Sequence, residues 1–297
     1  MSELVLVLMS TYNGERYLRE QIDSILAQED VNMRLLVRDD GSTDSTLNIL
    51  EEYQAKRKLT YYQGENLGPQ LSFMHLLRNA PKADYYAFSD QDDIWMGDKL
   101  SSAIGKLKGH KAALYFSQPQ ITDENLHVRP STPIKPLLTF GESLIYKFAS
   151  GCTMVFNHDL REIISDKIPK DMPIHDIWIY LIAMAFDAHV VFDPIPHILY
   201  RQHGDNAIGT GHGFSHRWKE RLTHILFQPG IRSGIANLLR ECYGKNMPAH
   251  NSRLLDLFVE GKRSLSKRIT ILRDKDFRCG DKTTQRLFWI SLTLNKY

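Results

Sequence analysis

Phe88-Ser89-Asp90-Gln91-Asp92-Asp93-Ile94-Trp95 sets the end of an apolar run against a cluster of acids. The apolar run Tyr85-Tyr86-Ala87-Phe88 reads as a buried strand, and three carboxylates arrive where it ends. Carboxylates crowded this closely repel one another and are costly to bury unpaired. A divalent cation relieves both problems, because hard oxygen ligands suit Mg²⁺ or Mn²⁺. Mg²⁺ is commonly held by one or two carboxylates together with substrate phosphates, so a nucleotide diphosphate is the natural guest. An acidic surface turn is the competing reading of Asp-x-Asp taken alone.

Upstream of this stretch, strand and helix alternate. Leu4–Met9 is a continuous apolar run, as in a parallel strand covered on both faces. Ser10-Thr11-Tyr12-Asn13-Gly14 turns the chain, and Tyr17, Leu18, Ile22, Ile25 and Leu26 recur at helical spacing. Met33–Val37 is a second strand ending in Arg38-Asp39-Asp40-Gly41-Ser42-Thr43-Asp44, where Ser42 or Thr43 is expected to cap the next helix. Leu59–Tyr62 is a third, followed by Glu65-Asn66-Leu67-Gly68-Pro69 and a helix through Phe73, Leu76 and Leu77. Strands separated by helices imply an α/β fold with a mainly parallel sheet and ligands at the carboxyl ends of its strands. Thr11, Asp40, Asn66 and Asp90–Asp92 all fall at such ends.

Downstream, Leu114–Phe116 reads as another strand, and prolines at 119, 130, 133 and 136 punctuate an irregular stretch. Ser150–Phe156 reads as a turn into a strand, with Cys152 as a small core residue. His175-Asp176 opens an apolar helix through Trp178, Ile179, Leu181 and Ile182, where an acid also suits the helix dipole. Phe192-Asp193-Pro194 and Ile198–His203 suggest strands returning to the sheet edge.

Residues 1–213 carry 20 Lys+Arg against 28 Asp+Glu, a net −8, whereas residues 214–297 carry 17 against 7, a net +10. The second segment shows helical spacing (Trp218, Leu222, Ile225, Leu226; Ile231, Ile235, Leu238; Leu265, Ile269, Leu272) and reads as a basic helical extension. Its basic face is either solvated surface or a means of docking on an anionic leaflet. The scattered Cys152, Cys242 and Cys279 form no metal-binding pattern and suit a reducing cytoplasm. Leu4–Met9 is too short and lacks the basic flank of a signal peptide, and no apolar run approaches the roughly 20 residues that span a bilayer.

Ser10–Gly14, Asp39-Asp40-Gly41-Ser42-Thr43-Asp44, Asn66-Leu67-Gly68 and Asp90–Trp95, in that order, resemble glycosyltransferase family 2, the GT-A type sugar-nucleotide enzymes. The resemblance covers roughly residues 1–210. His175-Asp176-Ile177-Trp178 and Tyr200-Arg201-Gln202-His203-Gly204-Asp205-Asn206 resemble the branch that makes rhamnose-containing O-antigen and capsular polysaccharides. It implies a GT-A catalytic domain over 1–213, with Mg²⁺ or Mn²⁺ as cofactor. Thr11 and Asp40 would line the base pocket, Asn66 would lie near the nucleotide, Asp90 would sit against ribose, and Asp92 would ligate the metal. Asp90 and His203 are further candidates for the metal shell, and Arg201 and His203 for the diphosphate. Gly151, His175 and Trp178 would fall in the acceptor region. Family 2 enzymes place a catalytic base in an acidic pair near this point; His175 replaces the first acid, so Asp176 inherits the role. The implied reaction is inverting transfer from dTDP-rhamnose, or from UDP-galactose or UDP-glucose, to a glycan or lipid-linked acceptor.

Other classes fit less well. A nucleotidylyltransferase needs a glycine-rich, basic loop after its first strand, and Ser10–Gly14 has one glycine and no lysine. A dehydrogenase lacks its G-x-G-x-x-G, and the acidic body and absent aromatic-basic motif disfavour a nucleic-acid module.

Overall fold

The computed structural model describes residues 3–131, 133–146, 150–204 and 230–297. The chain runs β1 (Leu4–Thr11), α1 (Leu18–Leu26), β2 (Asn32–Asp39), α2 (Thr46–Ala55), β3 (Thr60–Gln63), α3 (Pro69–Asn79), β4 (Tyr85–Ser89), β5 (Ile94–Trp95), α4 (Lys99–Leu107), β6 (Ala113–Ser117) and β7 (Gln120–Thr122). It continues through α5 (Phe140–Ser143), a 3₁₀ turn at Gly151–Thr153, β8 (Val155–Asn157), α6 (His158–Asp166), α7 (His175–Ala185), β9 (His189–Asp193) and β10 (Ile198–Arg201). Four helices close it: α8 (Ile231–Tyr243), α9 (Ala249–Glu260), α10 (Leu265–Arg273) and α11 (Lys282–Thr293).

Seven strands form the main sheet in the order β3-β2-β1-β4-β8-β6-β9. All neighbours are parallel except β8, which runs antiparallel to β4 and β6. Val5, Val7 and Met9 face one layer of the core and Leu6 and Leu8 the other, so β1 is apolar throughout because helices cover both faces. Of the two late strands expected at the sheet edge, β9 pairs with β6 there. β10 does not: it joins β5 and β7 in a separate three-stranded sheet. That small sheet carries Arg201 and the start of the following segment back beneath the acidic loop.

The cap of α2 differs from expectation. The helix starts at Thr46, and the Asp44 carboxylate accepts its N–H (3.0 Å), while Ser42 Oγ turns toward Asp39. Ser42 and Thr43 lie too far upstream to cap.

The C-terminal helices share the core of the α/β body: Leu239, Tyr243, Leu255, Phe258 and Phe288 belong to the cluster that holds Phe88 and Trp178. Glu142, fully buried, spans the seam, accepting from Leu137 and Leu138 N–H and from Gly280 N–H. The expected boundary at 213/214, Asp205, Asn206, and the apolar positions Trp218 to Leu226 lie outside the described residues. Among the described residues no helix is long and apolar enough to cross a membrane.

Candidate active site

Three loops meet at the carboxyl ends of β1, β2 and β4. Asn13-Gly14-Glu15 is zipped to Ser42–Thr46: Asn13 N–H donates to Ser42 Oγ, Gly14 N–H to Thr46 Oγ1, and Thr43 N–H to Asn13 Oδ1. The acidic loop is tied to the same edge by Gln91, whose amide accepts from Tyr12 N–H (2.8 Å) and donates to Tyr12 O (3.0 Å). Gln91 lies so close to Gly14 that a Cβ there would meet its Oε1 at 2.4 Å. Nothing in the sequence pattern singled out Gln91. Its place between Asp90 and Asp92 was the available signal, since the middle residue of such a loop must point away from its neighbours.

The three acids diverge. Asp93 is fully buried; its Oδ1 accepts from Arg201 N–H (3.1 Å), and the Cys152 thiol lies against it. Asp92 faces outward enough for Oδ2 to meet His203 Nε2 at 2.9 Å, and the His203 ring lies tilted against that of Tyr17, 4.8 Å between centroids. Asp90 is half-buried. Desolvation, then the charges of Asp92 and Asp176, push its carboxyl up to about 7. Such crowding is the condition a cation would relieve. Asp92, Asp90 and the His203 imidazole offer oxygen and nitrogen donors that fit Mg²⁺ or Mn²⁺. Among the described residues, the group whose donor atoms all lie within 4.8 Å of one another is a different one, Asp90, Asp93 and Cys152. Burial holds that thiol well above its ordinary range, protonated, so it suits a hard cation poorly. Lys99 completes this inner cluster. It is fully buried, its Nζ lies 3.5 Å from the Trp95 ring centroid, and desolvation lowers it to about 7. The sequence pattern gave Lys99 no role.

Asp176 sits in the first turn of α7, whose N-cap is Ile174, so it is not itself the cap. Its charge reaches Asp90, which brings the expected base beside the acidic loop. The site is close-packed behind it: a Cβ on Gly151 would stand 2.6 Å from His175 Nε2 and 3.4 Å from Asp176 Cβ. Gly151→Ala is therefore expected to displace the start of α7 and slow turnover by roughly tenfold with little change in donor binding, which steady-state kinetics beside donor calorimetry would read.

His175 and Trp178, expected in the acceptor region, are core residues instead. Trp178 is wholly buried, and His175 is nearly so, its ring 4.3 Å from that of Phe73 and 5.3 Å from that of Phe88. Neither ring nitrogen of His175 has a hydrogen-bond partner among the described residues, and desolvation lowers its pKa to about 3. The folded state thus refuses a proton that the unfolded chain takes up near pH 6.5. Stability should fall as pH drops below about 6.5 toward 3, by at most about 1.4 kcal/mol per pH unit from this group. Melting temperature between pH 7 and 5 should decline less steeply in His175→Met than in the native protein; equal slopes would contradict the assignment.

The nucleotide-side residues are more structural than expected. Thr11 is buried and its hydroxyl donates to Asp39 Oδ1 (3.2 Å), so its side chain braces Asp39 and does not line a pocket. Asp40 pairs with Arg38 and accepts from Leu67 N–H and Gly68 N–H, shaping the Asn66–Gly68 loop as its wall. Asn66 is exposed, with Oδ1 on Gly68 N–H. Arg201 is corrected from diphosphate ligand to brace: 3% exposed, it donates to Asp92 O and Glu124 O, pairs with Glu20, and lies over the Tyr17 ring.

The family model "Glycosyl transferase family 2" matches residues 6–164, over half of the chain and all three site loops. The chain belongs to this family. It is 34% identical over 233 residues to the dTDP-rhamnosyl transferase RfbG of Shigella flexneri, covering 71% of this chain and 77% of that protein. Two solved structures share the fold. S. aureus TarS 1-349 in complex with UDP-GlcNAc superposes with TM-score 0.58 at 19% identity, covering 99% of this chain and 92% of that 1-349 chain. The mannosyltransferase PcManGT from Pyrobaculum calidifontis, in complex with GDP-Man and Mn²⁺, gives 0.54 at 17% identity, covering 100% and 87%. A family 2 chain with relatives of this kind is a glycosyltransferase.

Proposed function

We propose that the chain transfers L-rhamnose from dTDP-rhamnose, with inversion, to a glycan or lipid-linked acceptor during cell-surface polysaccharide synthesis. The reading is carried by the gathering of Asp90, Asp92 and Asp176 at the carboxyl end of β4, with the charges of Asp92 and Asp176 both felt at Asp90. The identity to the rhamnosyl relative supports the choice of donor.

Asp92, with Asp90 and His203, would hold Mg²⁺ or Mn²⁺; when bound, the cation neutralises charge developing on the departing diphosphate. Asp176 receives the acceptor hydroxyl proton as that oxygen bonds to the anomeric carbon and the bond to the diphosphate breaks. The positive end of the α7 dipole favours its ionised form, the form a base requires. Gln91 and Arg201 keep the acidic loop in register, so the charge Asp92 presents needs no reorganisation at the moment of transfer. Burial of His175 leaves Asp176 as the proton acceptor of that pair.

Residues 1–213 act in this reading as the catalytic domain, and the basic extension 214–297 touches an anionic membrane on the cytoplasmic side. A panel of sugar nucleotides, scored by nucleoside diphosphate release, tests the donor. dTDP-rhamnose should exceed UDP-galactose and UDP-glucose by roughly tenfold or more in kcat/KM. Preference for a UDP-sugar would overturn the choice of rhamnose.

A further inference from the structure

The C-terminal helices bury one face in the shared core and leave another to solvent. On α10, Ile271 is fully buried, while Leu265 (64% exposed) and Ile269 (40%) stand one turn apart, with exposed Arg273 a turn beyond. On α11, Phe288 and Leu292 point inward, while Lys282, Arg286, Trp289, Ile290 and Leu294 are exposed at helical spacing. Two ties set the helices side by side and antiparallel. Lys262 Nζ, just before α10, donates to Asn295 O just after α11 (2.7 Å). Arg278 donates to Leu272 O at the far end of α10 and lies over the Trp289 ring at 5.4 Å.

The surrounding charge is one-sided. Residues 230–297 hold 14 Lys+Arg against 6 Asp+Glu, a net +8. Each of those acids already has a partner: Glu241, Asp256 and Glu260 on α8 and α9, Asp274 and Asp276 with Arg253, and Asp281 at the start of α11. An apolar stripe with an exposed tryptophan and a basic rim matches an amphipathic surface lying in a lipid interface. A second copy of the same face would set positive charge against positive charge, so self-association is disfavoured.

We propose that the outer faces of α10 and α11 dock on an anionic lipid leaflet, with Leu265, Ile269, Trp289, Ile290 and Leu294 entering the interface and Lys282 and Arg286 meeting headgroups. This deepens the membrane contact proposed above, rests on that reading, and assigns it to a surface distinct from the catalytic loops. Such a surface holds the acidic site near an acceptor carried in the same leaflet.

The test is co-sedimentation of the full chain with phosphatidylcholine vesicles, with and without phosphatidylglycerol, at low and high salt. Binding should require the anionic lipid and fall with salt, because the Debye length shrinks from about 10 Å at 0.1 M to about 3 Å at 1 M. Lys282→Glu/Arg286→Glu should lower partitioning by about tenfold or more, and Leu265→Ser/Trp289→Ser should lower it comparably. All four positions are exposed, so melting temperature and Mn²⁺-supported nucleoside diphosphate binding should hold in both variants. Native-level partitioning of both variants would move the contact elsewhere on the chain and overturn this proposal while leaving membrane binding itself intact. No preference for anionic vesicles in the native protein would overturn both. A dimer in sedimentation velocity that Leu265→Ser/Trp289→Ser dissolves would assign the face to a second copy instead.

Discussion

Asp176→Asn is expected to slow sugar transfer by about 10²–10⁴-fold, the range typical of general-base catalysis, while donor binding and melting temperature barely move. The swap keeps volume and shape. It also keeps the hydrogen bond from Ile177 N–H to Oδ1, since an amide oxygen accepts as a carboxylate does. The N-cap of α7 is Ile174, so no capping side chain is lost. What disappears is the capacity to take a proton and one negative charge near Asp90. Losing that charge eases the crowding of the acidic loop, so Mn²⁺-supported binding of the nucleotide should be no weaker in the variant. Rate loss with intact binding would assign the residue to the bond-making step; near-native turnover would leave the acceptor proton without a base. His175 cannot take over, because its ring is held neutral between Phe73 and Phe88, away from solvent.

The sheet was legible because its strands are apolar on both faces. Leu4–Met9 and Tyr85–Phe88 admit few placements other than the middle of a doubly covered parallel sheet, and they became β1 and β4. The position of the site followed from that, since loops at carboxyl strand ends converge whatever their sequence. Side-chain direction was far less legible. Thr11, Asp40 and Arg201 stand where the sequence places them, yet each spends its polar atoms on the protein. Partners of Arg201 come from Glu20 and Glu124, and no local spacing links those segments. The three-stranded sheet escaped notice for a related reason: β5 and β7 have two and three residues, too few for a period-2 pattern to register. His175 and Trp178 illustrate a third limit. The resemblance carried both to the acceptor region, but tight packing of Gly151 and Phe73 against the first turn of the helix buries His175.

Asp92→Asn should abolish the metal-supported part of nucleotide binding and lower turnover by about 10³-fold, equivalent to about 4 kcal/mol of lost charge stabilisation. Asp92 is both anchored and accessible. Its carbonyl is held by Arg201, its carboxylate meets the His203 ring, and its side chain is 16% exposed, whereas Asp93 is sealed. Asparagine retains the backbone tie and an oxygen for His203, so the loop should keep its shape and the variant its melting temperature. Only the anionic ligand goes. In chelator, the native protein and the variant should bind nucleoside diphosphate equally weakly; with Mn²⁺ added, only the native protein should tighten. Asp93→Asn makes the contrast sharp. Its carboxyl is held well above the usual carboxylate range by burial and by Asp92 and Asp90, so it contributes little charge to neutralise. That swap keeps an oxygen for Arg201 N–H, so it should change stability little and leave the Mn²⁺ response in place. Calorimetry in which Asp92→Asn tightened with Mn²⁺ as the native protein does, or in which Asp93→Asn alone lost the response, would move the cation from the outer carboxylates to the inner Asp93–Cys152 cluster.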